Sequence, residues 1–290
     1  MNKQKDLIRN GGRASKGRSP ESPYPRVIAV TSGKGGVGKT SIVGNLAIAF
    51  RRLGSRVLVL DGDLSLPNMD IIFGLNPSHS IKDVIRGEKD LSEVIVEGPE
   101  QVLVIPAHSE MLELDHLTNG QKLNLLSEFD RLDGDFHIFL IDTAAGISSD
   151  IMYFSIAAQE RIVVVTSEPS SIANAYALMK VMFQQHGTDR FKLLVNMVTD
   201  AQEARWVFEN LSDAIAGSLG NVSLEYIGFI PEDEDFHKAV RQATTVLQRY
   251  PESESSRSFY ELAKRLLADS ANTPDDGNIK FFWRKLMSLQ

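Results

Sequence analysis

The sequence predicts an α/β fold, namely a doubly wound, mostly parallel sheet of about seven to eight strands with helices on both faces. From Val27 onward, short β-branched runs alternate with helix-length segments, and this repetition is typical of parallel sheets with right-handed crossovers. Most of the short runs are continuously apolar, as expected for strands covered on both faces. Ligands of such sheets bind beyond the carboxyl ends of the strands. The residues that follow each strand are therefore the first candidates for a functional site.

The individual elements follow from the same pattern. Strands are predicted at residues 27–31, 57–60, 102–105, 138–141, 162–166, 193–195 and 226–230. Helix-length segments between them include 40–53, 119–132, 171–186 and 201–219.

Composition and charge limit the classes of protein. The 290 residues include no cysteine, which excludes disulfides, thiolate catalysis and cysteine-ligated metal. The net charge is −7, but residues 1–26 hold seven basic against two acidic residues, and residues 278–290 hold three basic and no acidic ones. The remaining body carries −15, which disfavours DNA as a partner. With no apolar run that fits a membrane span or a secretion signal, we expect a cytoplasmic protein.

Three regions are predicted along the chain. Residues 1–25 form a flexible extension with a short helix at 4–9, because residues 10–25 are rich in Gly, Ser and Pro. Residues 26–271 form the α/β domain. Residues 272–290 contain an acidic spacer near 273–277 and a C-terminal amphipathic helix.

A glycine-rich motif follows the first predicted strand. It matches G-x-x-x-x-G-K-[ST] between a strand and a helix, and consists of Gly33, Lys34, Gly35, Gly36, Val37, Gly38, Lys39 and Thr40, with Ser41 next. The glycines let backbone N–H groups surround a phosphate at a helix N-terminus. Lys39 is expected to reach the β- and γ-phosphate oxygens, and the Thr40 hydroxyl to bind Mg²⁺.

Lys34 is a residue that an ordinary phosphate loop does not require. With it, the loop resembles the deviant Walker A motif, KGGVGKT, of the MinD/ParA ATPases. The resemblance extends over about residues 26–270 and implies an ATP-dependent homodimer, since the early lysine of that family reaches the partner's nucleotide. Lys34 would then neutralise transition-state charge in the opposite subunit, as an arginine finger does.

Acidic residues close two of the predicted strands. Asp61 and Asp63 follow the second strand, and Asp142 follows the fourth, so all three point toward the same crevice. The resemblance implies that Asp63 positions the attacking water, that Asp61 supports the metal shell and that Asp142 binds Mg²⁺ through water. The Mg²⁺ set is thus Thr40, Asp61, Asp63 and Asp142; carboxylates that merely cap the following turns are the alternative.

The base-binding residues point to ATP and not to GTP. The chain contains no N-K-x-D segment, which reads guanine in phosphate-loop GTPases. In the resembled family, the position of Asn196, after the sixth predicted strand, reads adenine, and Pro231, Glu232 and Asp233 match a second base-contacting loop. As an alternative, the acidic run 232–235 only begins a helix, where acidic residues interact favourably with the helix dipole. ATP and Mg²⁺ are the predicted cofactors.

The lack of cysteine discriminates within the resembled superfamily. The nitrogenase iron protein, the protochlorophyllide reductase subunit, the arsenite pump and the iron–sulfur carriers all use cysteine at their working sites. The remaining members are positional switches: division-site MinD, the partition ATPases and the MinD-like regulators of flagellar number.

The C-terminal segment 278–290 has the pattern of an interfacial helix. Its apolar positions follow helical spacing and its basic residues flank them, which favours binding to an anionic membrane surface; packing on the body is the alternative. The predicted membrane-contacting residues are Ile279, Phe282, Trp283 and Leu286.

The N-terminal segment favours the flagellar branch of the family. Those regulators carry an extension with a D-Q-A-x-x-L-R segment that stimulates the flagellar signal-recognition-type GTPase. Residues 3–9 keep Gln4 and Arg9 but depart from the pattern at Lys3 and Lys5; a disordered basic tail is the alternative.

The sequence thus predicts a slow, partner-stimulated ATPase that dimerises with ATP and regulates flagellar number or placement. That GTPase or a flagellar transcriptional activator would be its protein partner, and the inner face of the bacterial membrane its reversible location. A division-site MinD, a DNA partition ATPase and a non-enzymatic co-regulator are the alternatives.

Overall fold

Eight strands lie in the part of the chain that the computed structural model describes, which comprises residues 25–63, 67–107, 118–132 and 136–269. The strands are β1 (Arg26–Ser32), β2 (Val57–Gly62), β3 (Val96–Glu97), β4 (Leu103–Ile105), β5 (Ile138–Ala145), β6 (Glu160–Val165), β7 (Arg190–Val198) and β8 (Ser223–Pro231).

These strands form one sheet in the order β3-β4-β2-β5-β1-β6-β7-β8. Every neighbouring pair is parallel except β3 with β4, which is antiparallel. The α/β fold class and the seven predicted strands are confirmed. The edge strand β3 was not predicted, because two residues are too few to give a periodic signal.

Helices connect the strands. The described helices are α1 (Lys39–Arg52), α2 (Met69–Phe73), α3 (Ile81–Ile85), α4 (Leu91–Val94), α5 (Asn119–Arg131), α6 (Ser149–Ala157), α7 (Pro169–His186), α8 (Ala201–Leu219), α9 (Glu234–Arg241), α10 (Val246–Arg249) and α11 (Glu254–Ala268). The four predicted long helices are found, and α7 begins two residues earlier than expected. The fixed φ of Pro169 suits this first helical position, whose N–H needs no intrahelical partner.

Helices cover both faces of the sheet. Along β1, Ile28 and Val30 pack in one hydrophobic cluster with α1 and α11, whereas Val27 and Ala29 pack in a second cluster with α5 and α6. Successive strand residues point to opposite faces, so burial of both sets explains why β1 is continuously apolar. A third cluster joins α7 and α8 to β6 and β7.

The register of the central strands brings the sequence motifs together. Ser32, at the end of β1, pairs with Ala145 of β5, and Gly62 of β2 pairs with Thr143 of β5. The loops that follow β1, β2 and β5 therefore meet at one edge of the sheet. This edge is the expected ligand-binding edge.

Several predictions concern residues outside the described part of the chain. They include the helix at 4–9, nearly all of the linker 10–25, residues 64–66 of the loop after β2, the spacer 273–277 and the C-terminal helix with Ile279, Phe282, Trp283 and Leu286. Among the described residues, no helix is both long and apolar enough to cross a bilayer.

Candidate nucleotide site

The glycine-rich loop joins β1 to α1 and is held from two sides. Gly38 has φ 91°, a left-handed conformation that favours glycine, and a Cβ there would lie 2.6 Å from Asn196 Nδ2. A Cβ on Gly33 would lie 2.1 Å from the backbone oxygen of Asn174 in α7. The loop is therefore packed closely against the end of β7 and against α7.

Lys39 is nearly buried beneath this loop. Its Nζ donates to Ser32 Oγ at 3.0 Å, and Ser32 Oγ donates to the Lys34 carbonyl at 2.7 Å. Burial lowers the pKa of Lys39, while the charges of Asp142 and Asp63 oppose that effect. This buried cation beside a glycine loop fits a triphosphate ligand.

Asp142 offers a carboxylate oxygen without a partner. The side chain is 1% exposed and is hydrogen-bonded to the side chain of Thr40, but Oδ1 has no hydrogen-bond partner among the described residues. Burial, reinforced by the charge of Asp61, raises the pKa of Asp142 to about 8. Buried polar atoms are normally satisfied, so a cation beside Thr40 and Asp142 would supply the missing partner. These two residues fit the predicted Mg²⁺.

Asp61 organises the loop that follows β2. Its Oδ1 accepts from the N–H of Asp63 at 3.2 Å, and its Oδ2 accepts from the N–H groups of Asn68 and Met69, each at 3.0 Å. Burial raises the pKa of Asp61 to about 7 against the opposing effect of these hydrogen bonds. The carboxylate thus holds both ends of the segment 63–69 and leaves Asp63 half-buried at the crevice. Support of the metal shell by Asp61 stays a prediction.

The predicted magnesium ligands would not complete the coordination of the ion by themselves. In the described ranges, no three His, Asp or Glu side chains are grouped so as to hold a metal by themselves. Mg²⁺ is usually bound by one or two carboxylates together with substrate phosphates and water. The arrangement of Thr40 and Asp142 beside the phosphate loop agrees with that mode.

Asn196 connects the end of β7 to the phosphate loop. It is fully buried, its Nδ2 donates to the Val37 carbonyl at 2.8 Å, and its Oδ1 has no hydrogen-bond partner in the described part of the chain. The amide nitrogen thus binds the loop, and the amide oxygen could accept a hydrogen bond from a ligand. Reading of adenine by this amide stays a prediction.

The loop Pro231–Asp233 lies beside Asn196 at the same sheet edge. Asn196 pairs in register with Ile230, and the N–H of Glu232 donates to the Val198 carbonyl at 2.8 Å. The carboxylate of Asp233 is already engaged: Oδ1 accepts from Asp235 N at 2.8 Å as the cap of α9, and Oδ2 accepts from the N–H and hydroxyl of Ser255 at 3.0 and 2.6 Å. Contact of this loop with the base stays a prediction. The side chain of Asp233 itself acts as the N-cap of α9, as in the alternative that the acidic run is a helix start.

Lys34 binds the first turn of α7 within the same protomer. Its Nζ forms an ion pair with Glu168 and donates to Ser170 Oγ at 3.1 Å. The hydrogen bond and charge of Lys34 hold the pKa of Glu168 below its usual value. Lys34 is 33% exposed and Glu168 is 62% exposed, so water reaches this pair. The predicted reach of Lys34 across a dimer interface stays a prediction.

The site includes residues that the sequence analysis did not identify, namely Ser32, Glu168, Ser170 and Ser255. Glu168 and Ser170 follow the carboxyl end of β6, so the rule that ligand-binding residues follow strands could have flagged them. Ser255 lies 22 residues from Asp233, and no sequence signal connects the two.

Comparisons with known proteins agree with this architecture. The family model ParA, described as "NUBPL iron-transfer P-loop NTPase", matches residues 24–267. The chain is 40% identical to the antiactivator FleN of Pseudomonas aeruginosa over 90% of its own length and 93% of the relative's. It is 30% identical to the flagellum site-determining protein YlxH of Helicobacter pylori over 91% of this chain and 90% of that protein. The fold is similar to that of MinD from Pyrococcus horikoshii, solved with Mg-ADP, at a TM-score of 0.67 and 24% identity, covering 84% of this chain and 97% of that one.

Proposed function

The chain belongs to the ParA/MinD family of P-loop NTPases, and we propose that it is an ATP-dependent dimerising switch that regulates flagellar number or placement. One observation carries the biological role: YlxH, whose name refers to the determination of the flagellum site, matches about nine-tenths of the chain, as does the antiactivator FleN. The iron-transfer description of the family model does not extend to a thiolate-based cargo site here, because the chain has no cysteine.

The nucleotide is ATP with Mg²⁺. Lys39 and the loop amides would hold the phosphates, and Thr40 with the unpartnered Asp142 Oδ1 would hold the metal. In such sites the metal neutralises charge on the phosphate oxygens. Asp63 positions the attacking water, and its backbone is fixed for this task by Asp61. Lys34, the extra cation of the loop, is paired with Glu168 in the protomer, so we expect hydrolysis to be slow until dimerisation and a partner complete the site.

Dimerisation would require Lys34 to leave Glu168. Because both side chains are accessible to water, their ion pair contributes little to stability and is easily given up. Lys34 then becomes available to the nucleotide of a partner subunit. The accessibility of the pair permits this exchange, and in the proposed dimer two ATP molecules would lie between the protomers.

Reversible membrane association would follow from the C-terminal amphipathic pattern at residues 278–290. A helix of this length binds weakly alone, and two helices in one dimer act as a bivalent ligand. ATP would therefore set the location of the protein at the inner face of the membrane. The flagellar signal-recognition-type GTPase and a flagellar transcriptional activator are the proposed protein partners.

A strain-level experiment tests the role. The coding sequence is deleted from its flagellated host and replaced with the wild-type protein, with Asp63→Ala, or with Asp213→Ala as a matched control at an exposed position of α8. Altered flagellar number in the deletion and in Asp63→Ala, with restoration by Asp213→Ala, supports the proposal. Minicells with unchanged flagella would assign the chain to division-site selection, and a salt-sensitive shift of DNA by the purified dimer would revive the partition ATPase.

A further inference from the structure

Strand β7 contains an extra residue beside the nucleotide site, and that residue has an unfavourable backbone conformation. Asn196 pairs with Ile230 of β8, and Val198 pairs with the very next residue, Pro231, so Met197 is the extra residue of a β-bulge. Its φ is 56°, a left-handed conformation that is unfavourable for residues with a Cβ. Strain of this kind is concentrated at ligand sites, where the surrounding structure holds it in place.

The same pair of strands carries glycine at a comparable point. At the other irregularity between β7 and β8, Gly228 lies opposite Leu194 and has φ 137°. Glycine adopts positive φ without a steric cost, and bulges with a left-handed residue commonly place glycine there. At position 197 the chain carries a long side chain instead. We therefore expect the side chain of Met197 to have a function of its own.

The side chain of Met197 lies against the phosphate loop and outside the core. Its Cε is 3.5 Å from the position of a Cβ on Gly38. Asn196 and Val198, on either side, are fully buried, whereas Met197 is partly exposed. The three hydrophobic clusters of the described residues do not include it. Packing in the core thus does not account for this methionine.

The two neighbours of Met197 each bind one of the loops that would hold a nucleotide. Asn196 Nδ2 donates to the Val37 carbonyl of the phosphate loop at 2.8 Å. The Val198 carbonyl accepts from the N–H of Glu232, in the loop 231–233, at 2.8 Å. A nucleotide with its phosphates at the first loop and its base at the second would therefore extend across Met197.

We propose that Met197 contacts the base of the bound nucleotide, with its thioether and methyl group packed on the face of the purine ring. This inference rests on the proposed binding of ATP. Methionine makes favourable contacts with aromatic rings, with the sulfur about 5 Å from the ring, and its unbranched side chain adapts to the surface it meets. The amide of Asn196 would read the edge of the base, whereas Met197 contacts the face. Because every base has such a face, Met197 adds affinity without selecting adenine over guanine.

Nuclear magnetic resonance of methionine methyl groups tests the contact directly in the full chain. The eight methionines are labelled with carbon-13 at the methyl group, and the Met197 signal is identified by its loss in Met197→Leu. Mg²⁺ with a non-hydrolysable ATP analogue should shift the Met197 methyl upfield, because a methyl over the face of an aromatic ring is shielded by the ring current. Saturating inorganic tripolyphosphate, which has no ring, should not. The methyl of Met182, buried in α7, should show no comparable shift with either ligand.

Binding measurements separate the side chain from its strained backbone. Met197→Gly removes the side chain and accepts φ 56° without strain, so it should fold. We expect it to bind the ATP analogue about three- to tenfold more weakly than wild type and to bind tripolyphosphate within about twofold of wild type. The loss should be the same for the corresponding GTP analogue. Leu123→Ala, at an exposed position of α5, is the control for truncation of an exposed apolar side chain and should leave both affinities unchanged.

The outcomes distinguish this inference from the proposed function. If wild type binds the analogue but the Met197 methyl does not move upfield, or if Met197→Gly binds the analogue as well as wild type, the base contact is wrong and the ATP site stands. An equal loss for the analogue and for tripolyphosphate would place the effect of Met197 in the phosphate loop and likewise overturn the contact. If wild type binds no analogue, the proposed ATP site fails and the inference fails with it.

Discussion

Asp61 and Asp142 are register partners on the adjacent parallel strands β2 and β5, and each is only 1% exposed. Burial raises their pKa values to about 7 and about 8. Their surroundings differ, because Asp61 accepts three backbone N–H groups and Asp142 keeps one oxygen without a partner among the described residues. The first carboxylate therefore builds the loop, and the second is the better cation ligand.

The raised pKa values of Asp61 and Asp142 should make the stability of the nucleotide-free protein depend on pH. Between the unfolded pKa of about 4 and the folded values, the native state binds more protons than the unfolded state, so the free energy of unfolding falls as pH rises. Asp142→Asn should remove the contribution of Asp142. We therefore expect the free energy of unfolding of Asp142→Asn, minus that of wild type, to increase by about 1–2 kcal/mol as the pH rises from 6 to 8.

Denaturant unfolding in EDTA at pH 6, 7 and 8 measures this difference. Asp61→Asn serves as the contrast, because an amide has one acceptor oxygen and cannot accept both from Asp63 on one side and from Asn68 and Met69 on the other. It should therefore be destabilised at each pH. Parallel curves of stability against pH for wild type and Asp142→Asn would contradict the prediction.

Replacement of Lys34 should separate folding from activity. Lys34→Ala loses an accessible ion pair with Glu168 and an exposed hydrogen bond to Ser170 in the protomer, so its unfolding should stay close to wild type. ATP turnover should fall by at least about tenfold, and up to about 10³-fold if the lysine acts as a finger; ATP-dependent dimers should weaken. Light scattering measures the dimers and phosphate release measures the turnover, with Lys180→Ala on α7 as the control. A Lys34→Ala protein that dimerises and hydrolyses normally would exclude the role.

Asp63→Ala should stop hydrolysis but keep the dimer. Its side chain lies half-buried at the crevice, and loss of a group that positions water costs about 10²-fold or more in turnover. Size-exclusion chromatography with saturating ATP should show a stable dimer of the variant. If the variant stayed a protomer, the assignment of Asp63 to the chemical step alone would be wrong.

Three alanine replacements in the phosphate loop should destabilise the nucleotide-free protein to different extents, in an order set by the local geometry. Gly33→Ala places its Cβ 2.1 Å from the backbone of Asn174 and should cost about 3 kcal/mol or more. Gly36→Ala meets no neighbour but has φ 77°, which costs about 1–2 kcal/mol. Gly35→Ala has neither problem, since its Cβ would lie 4.0 Å from that of Ala145, and should stay within about 0.5 kcal/mol. Thermal unfolding gives the order, and equal losses at all three positions would refute the geometric explanation.

Much of the fold and of the phosphate site could be predicted from the sequence, because the signals are local. Continuous apolar runs identified seven strands, and the glycine-lysine-threonine motif identified the loop that places Lys39 and Thr40 at the start of α1. The two-residue strand β3 and the short helices α2, α3, α4 and α10 were not predicted. Segments of two to five residues give no periodicity to read.

The sequence by itself determined which groups the site contains, namely a phosphate loop, three aspartates, a base-side asparagine and an early lysine. Only the tertiary structure decided what each of them holds: Lys34 binds Glu168, 134 residues away, and Asp233 binds Ser255. It likewise decided that Arg26 at the start of β1 binds the carbonyl of Leu266 in α11. Such pairings depend on the order of strands in the sheet and on side-chain direction, and neither is encoded in local spacing.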